Sequence, residues 1–127
     1  MLRPDITAES LHERQAECLP GRFGLVVTRI AEGALDAEVA LQPWMMAPNG
    51  YLHAASVLLL ADTAAGYASI AHLPVGAKNF TTIELKLNVF GAGLPGDEIL
   101  AVATPLHTGR STVVIEVKME RVRDGDT

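Results

Sequence analysis

One cysteine, Cys18, in 127 residues excludes an internal disulfide and any CxxC metal or redox motif. The four histidines, His12, His53, His72 and His107, lack the spacing of metal ligands, so no metal is expected. Basic residues are outnumbered: ten Lys and Arg stand against fifteen Asp and Glu, for a formal charge of -5. No positive field therefore invites nucleic acid, and an anionic ligand has to be gripped by local positive groups. The N-terminus has no charged-then-apolar signal pattern, which leads us to expect a soluble, cytoplasmic protein. Repeats, low-complexity tracts and linkers are missing too, so residues 1–127 read as a single domain large enough for a real core.

Charge is scarcest in one stretch, Asn49 to His72, which reads NGYLHAASVLLLADTAAGYASIAH. Between His53 and His72 the only charged residue is Asp62, and no proline occurs between Pro48 and Pro74. Ala and Leu favour helix, and a helix apolar on every side is expected to be buried all round. The turn signal Pro48-Asn49-Gly50 precedes it and Leu73-Pro74-Val75-Gly76 ends it. About 20 apolar residues also suffice to cross a bilayer. However, a mid-segment carboxylate costs roughly 2.5–3.5 kcal/mol there, and no positive flank orients the segment. A central helix wrapped by a sheet, with one acid inside it, is the better reading.

Around it, Thr7 to Leu19 reads as a short helix capped by Thr7 and ended by Pro20-Gly21, packed on the outside. Phe23 to Ile30 is β-branched and reads as a strand. Glu32-Gly33 turns it into Ala34 to Leu41, where Leu35, Ala37, Val39 and Leu41 alternate with Asp36 and Glu38. Gln42 to Gly50 is a loop whose Trp44, Met45 and Met46 either cover the end of the core or, with Tyr67, line an apolar ligand slot. Three strands follow the helix: Thr82 to Phe90, Glu98 to Leu106, and Thr112 to Val122 with Val113, Ile115, Val117 and Met119 inward. Glu98 to Leu106 is nearly continuous in apolar residues, as expected of a central strand. Short turns make these strands antiparallel neighbours, so the fold class is α+β, a curled antiparallel sheet around one long helix.

Two features can carry chemistry. Asp62 sits among apolar neighbours, with hydroxyls on Thr63, Thr81 and Thr82 near in sequence; such an acid acts as general base on a water or attacks a carbonyl itself. The helix N-terminus, around His53, Ala54 and Ala55, offers amides without intrahelical partners that can polarise a carbonyl oxygen. Eight residues separate Ala54 from Asp62, or about 12 Å along the axis. Both groups need to lie within about 3 Å of one reacting centre. If both act, they come from two subunits whose helices lie antiparallel across a two-fold axis.

The turn Asn49-Gly50-Tyr51-Leu52-His53-Ala54-Ala55, then Leu60-Ala61-Asp62-Thr63-Ala64, then Thr81-Thr82-Ile83-Glu84-Leu85, resembles the hotdog-fold acyl-CoA thioesterases of the phenylacetate-degradation (PaaI-like) type. The likeness runs from about Phe23 to Val122. It implies a hotdog fold and hydrolysis of an acyl-CoA thioester, aryl or medium-chain, to free acid and coenzyme A. No cofactor is implied, since coenzyme A belongs to the substrate. By the same resemblance Asp62 is the catalytic carboxylate, Thr82 helps place the water, the Ala54 amide meets the thioester carbonyl, and Asn49 positions the nucleophile. His53, Ala55 and Thr81 border the substrate, and Gly109-Arg110-Ser111 holds coenzyme A phosphates. His53 itself reads as a structural residue at the helix start rather than as a base. The family's usual His-Gly-Gly is here His53-Ala54-Ala55, which keeps the amides but adds Cβ atoms at the carbonyl site. Relatives continue the last strand where this sequence ends in Arg123 to Thr127, so an altered sheet edge is expected. A homo-oligomer is implied, with a dimer as the minimal active unit and a tetramer beyond it. The alternative is a non-catalytic hotdog protein that binds acyl or aromatic ligands; an enoyl-CoA hydratase needs a different His/Asp arrangement.

Overall fold

The computed structural model describes residues 2–74 and 79–123; the expectations for Val75-Gly76 and for the tail at 124–127 lie outside them. Helix α1, Ala8–Gln15, opens on the Thr7 cap, whose hydroxyl accepts from the Ser10 amide while Ser10 Oγ accepts from the Thr7 amide. Its weak apolar face leads us to expect a helix packed on the outside, yet Leu11 is buried in the core. Gln15, also buried, donates to the Leu25 carbonyl at 2.7 Å and accepts from the Tyr67 hydroxyl at 2.6 Å. That pair of bonds ties α1 to the residue leading into the first strand and to the central helix, and burial pushes the Tyr67 phenol pKa up.

Pro20-Gly21 does not stop α1 but opens a second helix, α2, Leu19–Phe23. Proline is at ease in a first turn, where its missing N–H costs nothing. Gly24, at φ +89°, ends α2 in the left-handed region. Phe23 therefore closes a helix instead of starting a strand, and β1 is Val26–Ala31. It turns at Gly33 (φ +81°) into β2, Ala34–Ala40. β3, Glu98–Thr108, and β4, Val113–Val122, complete an antiparallel sheet in the order β1-β2-β3-β4. β3 pairs on both sides, from Leu35↔Ala103 to Ala40↔Glu98 and from Glu98↔Val122 to Thr108↔Val113. This agrees with its nearly continuous apolar sequence. His107 and Thr108 lie in β3 rather than in the turn after it.

The central helix α3, Ala54–Ala71, packs on β2, β3 and β4. Ala64, Ala68 and Ala71 are fully buried against a sheet face that is itself rich in alanine, at Ala37, Ala101 and Ala103. Small side chains on both layers bring helix and sheet close, and Leu35, Val39 and Leu60 fill the ends. By length and composition α3 could cross a bilayer, but here it is the core helix of the fold. It is not buried all round. Ala54, Ala55 and Leu58 on its first turns are exposed, and Asp62 is half-buried. His72 closes its C-terminal end: Nδ1 meets the Ala68 carbonyl at 2.8 Å and Nε2 accepts the Gly33 amide at 2.9 Å, tying helix to hairpin.

The segment Thr82–Phe90 corrects a further expectation, because it is not a strand. It has no ladder partner among the described residues, and Ile83 and Phe90 are 83% and 97% exposed. Its alternation suits a strand, but a strand exists only as one of a pair. Instead, an open groove of about 1880 Å³ separates the segment from β4.

An ion pair fastens the entry to β3 onto the end of β4. Arg123 donates from Nε and Nη2 to the two oxygens of Asp97 at 2.7 and 2.8 Å, and the Leu94 amide adds a bond at 2.9 Å. Asp97 is 3% exposed. The Arg123 hydrogen bonds, against the cost of burial, hold its pKa at about 2 instead of 3.8. The folded state thus binds this proton more weakly than the unfolded chain. Its contribution is complete above pH 4 and is lost as pH falls towards 2. Asp97→Asn is expected to cost about 2 kcal/mol at neutral pH, less than a fully buried pair because Arg123 is partly in water. It is also expected to flatten the acid limb of a urea-melt series between pH 4 and pH 2; an unchanged limb would assign that limb to other carboxylates.

Candidate active site

The loop before α3 is stitched down by its own backbone. The Ala47 amide donates to the Tyr51 carbonyl at 2.7 Å, and Gly50, at φ +91°, turns the chain. Asn49 Oδ1 accepts the Tyr51 amide at 3.1 Å, a local turn bond at an exposed position. The His53 amide donates to the Met45 carbonyl at 3.1 Å, and Ser56 Oγ reaches the same carbonyl at 2.9 Å. His53 is the N-cap of α3: its Nδ1 accepts the Ala55 amide at 2.9 Å. The imidazole thus does the capping that Ser or Asp usually does.

This cap sorts the first amides of the helix. Those of Ser56 and Val57 donate to the His53 carbonyl and that of Ala55 to its ring. Among the described residues the Ala54 amide meets no acceptor, and it is exposed. It is the donor left over at the positive end of the helix dipole.

Two turns further along, Thr82 Oγ1 donates to Asp62 Oδ1 at 2.9 Å. A carboxylate offers about four acceptor sites, so one hydroxyl leaves room for a water or a substrate group. Asp62, Thr81 and Thr82 line the open groove, together with Gly109, Arg110 and Ser111 from the β3–β4 turn. That turn is closed by the Gly109 amide on the Thr112 carbonyl at 2.8 Å and leaves Arg110 and Ser111 exposed. The structure therefore gathers six of the ten expected residues on one groove. Asn49, His53, Ala54 and Ala55 cluster at the N-terminus of α3 and do not line it.

The aromatic and Met residues of the loop take another course. Met45 is buried in the core, Trp44 stands edge-on to Phe23 with ring centroids 5.6 Å apart, and Tyr67 is bound to Gln15. None of them lines the groove. Residues that the sequence did not single out do: Ala65, Gly66, Ser69 and Phe80. The only signal for them is spacing, since Ala65, Gly66 and Ser69 fall within two turns after Asp62 on one helix.

The sequence model of the thioesterase superfamily matches residues 49–127. Among solved structures, a mutant thioesterase from Pseudomonas aeruginosa superposes with a TM-score of 0.87, 23% identity, and coverage of 98% of this chain and 88% of its own. A thioesterase from Haemophilus influenzae gives 0.87 at 21% identity, covering 99% and 85%. The PaaI protein of the Escherichia coli phenylacetic acid degradation operon gives 0.70 at 20%, covering 90% and 81%. These likenesses establish the fold, and the sequence match, which takes in the loop, α3, the groove and both strands beyond it, establishes the family. The chain belongs to the thioesterase superfamily and has its hotdog fold.

Proposed function

We propose that this protein hydrolyses an acyl-CoA thioester, aryl or medium-chain, to the free acid and coenzyme A in the cytoplasm. The observation that carries the reading is the Asp62 carboxylate, held by the Thr82 hydroxyl on the wall of a groove that reaches Arg110. With Asp62 as general base, a water oxygen bonds to the thioester carbonyl carbon while its proton passes to the carboxylate. The carbonyl oxygen takes the developing negative charge, and an amide donor stabilises it. The C–S bond then breaks, and the thiolate of coenzyme A leaves and takes up the proton. With Asp62 as nucleophile, the carboxylate oxygen bonds to the same carbon and expels the coenzyme A thiolate, and water then cleaves the mixed anhydride to the free acid and the regenerated carboxylate.

The donor is the Ala54 amide of the partner subunit. Within one chain eight residues of helix, about 12 Å, separate it from Asp62. The minimal active unit is accordingly a dimer. Arg110 and the backbone of Gly109 and Ser111 meet the phosphates of coenzyme A, the local positive grip that an acidic protein needs. Arg110→Ala is expected to raise KM about fivefold to tenfold for a CoA thioester. KM for the matching pantetheine thioester, which lacks the nucleotide phosphates, should stay unchanged; equal effects on both would remove Arg110 from phosphate binding.

The second reading, an acyl-binding protein without catalysis, is favoured by the Cβ atoms that Ala54 and Ala55 place where the family has glycine. A panel of aryl- and alkyl-CoA thioesters with thiol trapping separates the two. Release of thiol by the purified chain supports the hydrolase. Tight calorimetric binding without thiol release, while a control thioesterase turns over, overturns it.

A further inference from the structure

Beyond Thr82 the groove wall has a second contact with α3. A methyl group built on Gly66 would lie 2.6 Å from Phe80 Cζ and 3.2 Å from Cε2. The Phe80 ring therefore rests on bare helix backbone, in space that only glycine leaves open. Gly66 is one helical turn after Asp62, and Phe80 is two residues before Thr82. Four helical residues rise about 6 Å and two extended ones span about 6.6 Å. The Thr82–Asp62 bond and the Phe80–Gly66 contact are thus two rungs of one antiparallel course along the helix.

The geometry points to Phe80, seated on Gly66, as the residue that limits how long an acyl group the groove accepts. The inference rests on the proposed hydrolysis at Asp62. With the reacting carbonyl there and the coenzyme A arm running to Arg110, the acyl group is left with the small-residue floor of Ala61, Ala65 and Ser69. Phe80 borders that floor one turn beyond the acid, so its ring stands where a lengthening chain arrives. A groove narrowed by an aromatic ring rejects added methylenes by steric clash, and one from which the ring is removed gains from burying them.

The test compares kcat/KM of the full chain and its variants on straight-chain substrates from butyryl-CoA to dodecanoyl-CoA. Phe80→Ala is expected to raise the dodecanoyl-to-butyryl ratio about tenfold. Gly66→Ala, whose new methyl pushes the ring into the groove, is expected to lower it. Should Phe80→Ala not fold, Phe80→Leu carries the same test with a shift of about threefold. Ratios that stay within about twofold of the parent in a chain that does hydrolyse these thioesters overturn the role of Phe80 and leave the thioesterase reading standing. If the parent chain cleaves none of them, the role of Phe80 falls, and the aryl-CoA thioesters of the panel above decide the hydrolase reading by themselves.

Discussion

Asp62→Asn is expected to lower kcat/KM for an acyl-CoA thioester about a thousandfold while leaving the fold and the oligomer intact. The two side chains are nearly the same size, and an Asn oxygen still accepts the Thr82 hydroxyl that Asp62 Oδ1 accepts now. What disappears is the basic, anionic oxygen. Loss of a general base or a carboxylate nucleophile is worth roughly 10²–10⁴ in rate, and a thousandfold corresponds to about 4 kcal/mol of transition-state stabilisation. Asp62 is only half-buried, so the change in folding stability is expected to stay near 0.5 kcal/mol. Thiol-release kinetics and a thermal melt on the same preparation check both halves. A variant that turns over like the parent removes Asp62 from the chemistry. A single turnover of the parent enzyme in ¹⁸O-water then tests the nucleophilic role: label recovered in Asp62 shows that water opened an anhydride at its carboxyl carbon.

The parts of the fold that were legible in the sequence are those fixed by local chemistry. Thr7 and Ser10 form a reciprocal cap, Gly33 and Gly50 stand at positive φ in the turns, and the nearly continuous apolar run of β3 belongs to a strand with two neighbours. Pro20-Gly21 misled because proline punctuates a helix at either end; which end depends on Gly24, whose left-handed conformation closes α2. Thr82–Phe90 misled for a different reason. A period of two records which side chains share a face, and it is silent on whether another strand is there to pair with. The exposure of Ala54, Ala55 and Leu58 has the same origin, since composition does not say where helix and sheet part company.

On the groove, Asp62 and the hydroxyls of Thr81 and Thr82 were legible because each is a residue type in a defined local setting, whereas the helix N-terminus lies off it. The Phe80–Gly66 contact was not, since it depends on the chain returning along α3 at two residues for every four. Nor could the sequence decide which of the first amides stays available. That follows from the His53 ring taking the Ala55 amide, which leaves the Ala54 amide without an acceptor among the described residues.

This leftover amide can be deleted almost without touching the fold, and Ala54→Pro is therefore the second large effect expected. Ala54 is the first residue of α3, where proline is favoured because that N–H has no helical partner. His53 before it lies at φ -69° and ψ 138°, the extended region that a residue preceding proline requires. The helix is thus predicted to persist, while removal of one oxyanion donor lowers kcat about 10²–10³-fold. Ala54→Val, which adds bulk but keeps the amide, is the control; if it is as damaging as proline, the effect is steric and the donor role is lost. The same pair of lesions tests the shared site. If each site takes its acid from one subunit and its amide from the other, a mixed dimer of Asp62→Asn and Ala54→Pro chains has both lesions in one site and none in the second. Such a dimer, isolated through two different tags, is expected to recover about half the parent activity. If acid and amide served a site within one chain, both sites would stay damaged and activity would remain at the level of the single variants. The twelve or so ångströms of helix between Ala54 and Asp62 favour the first outcome, since no single reacting carbonyl spans them.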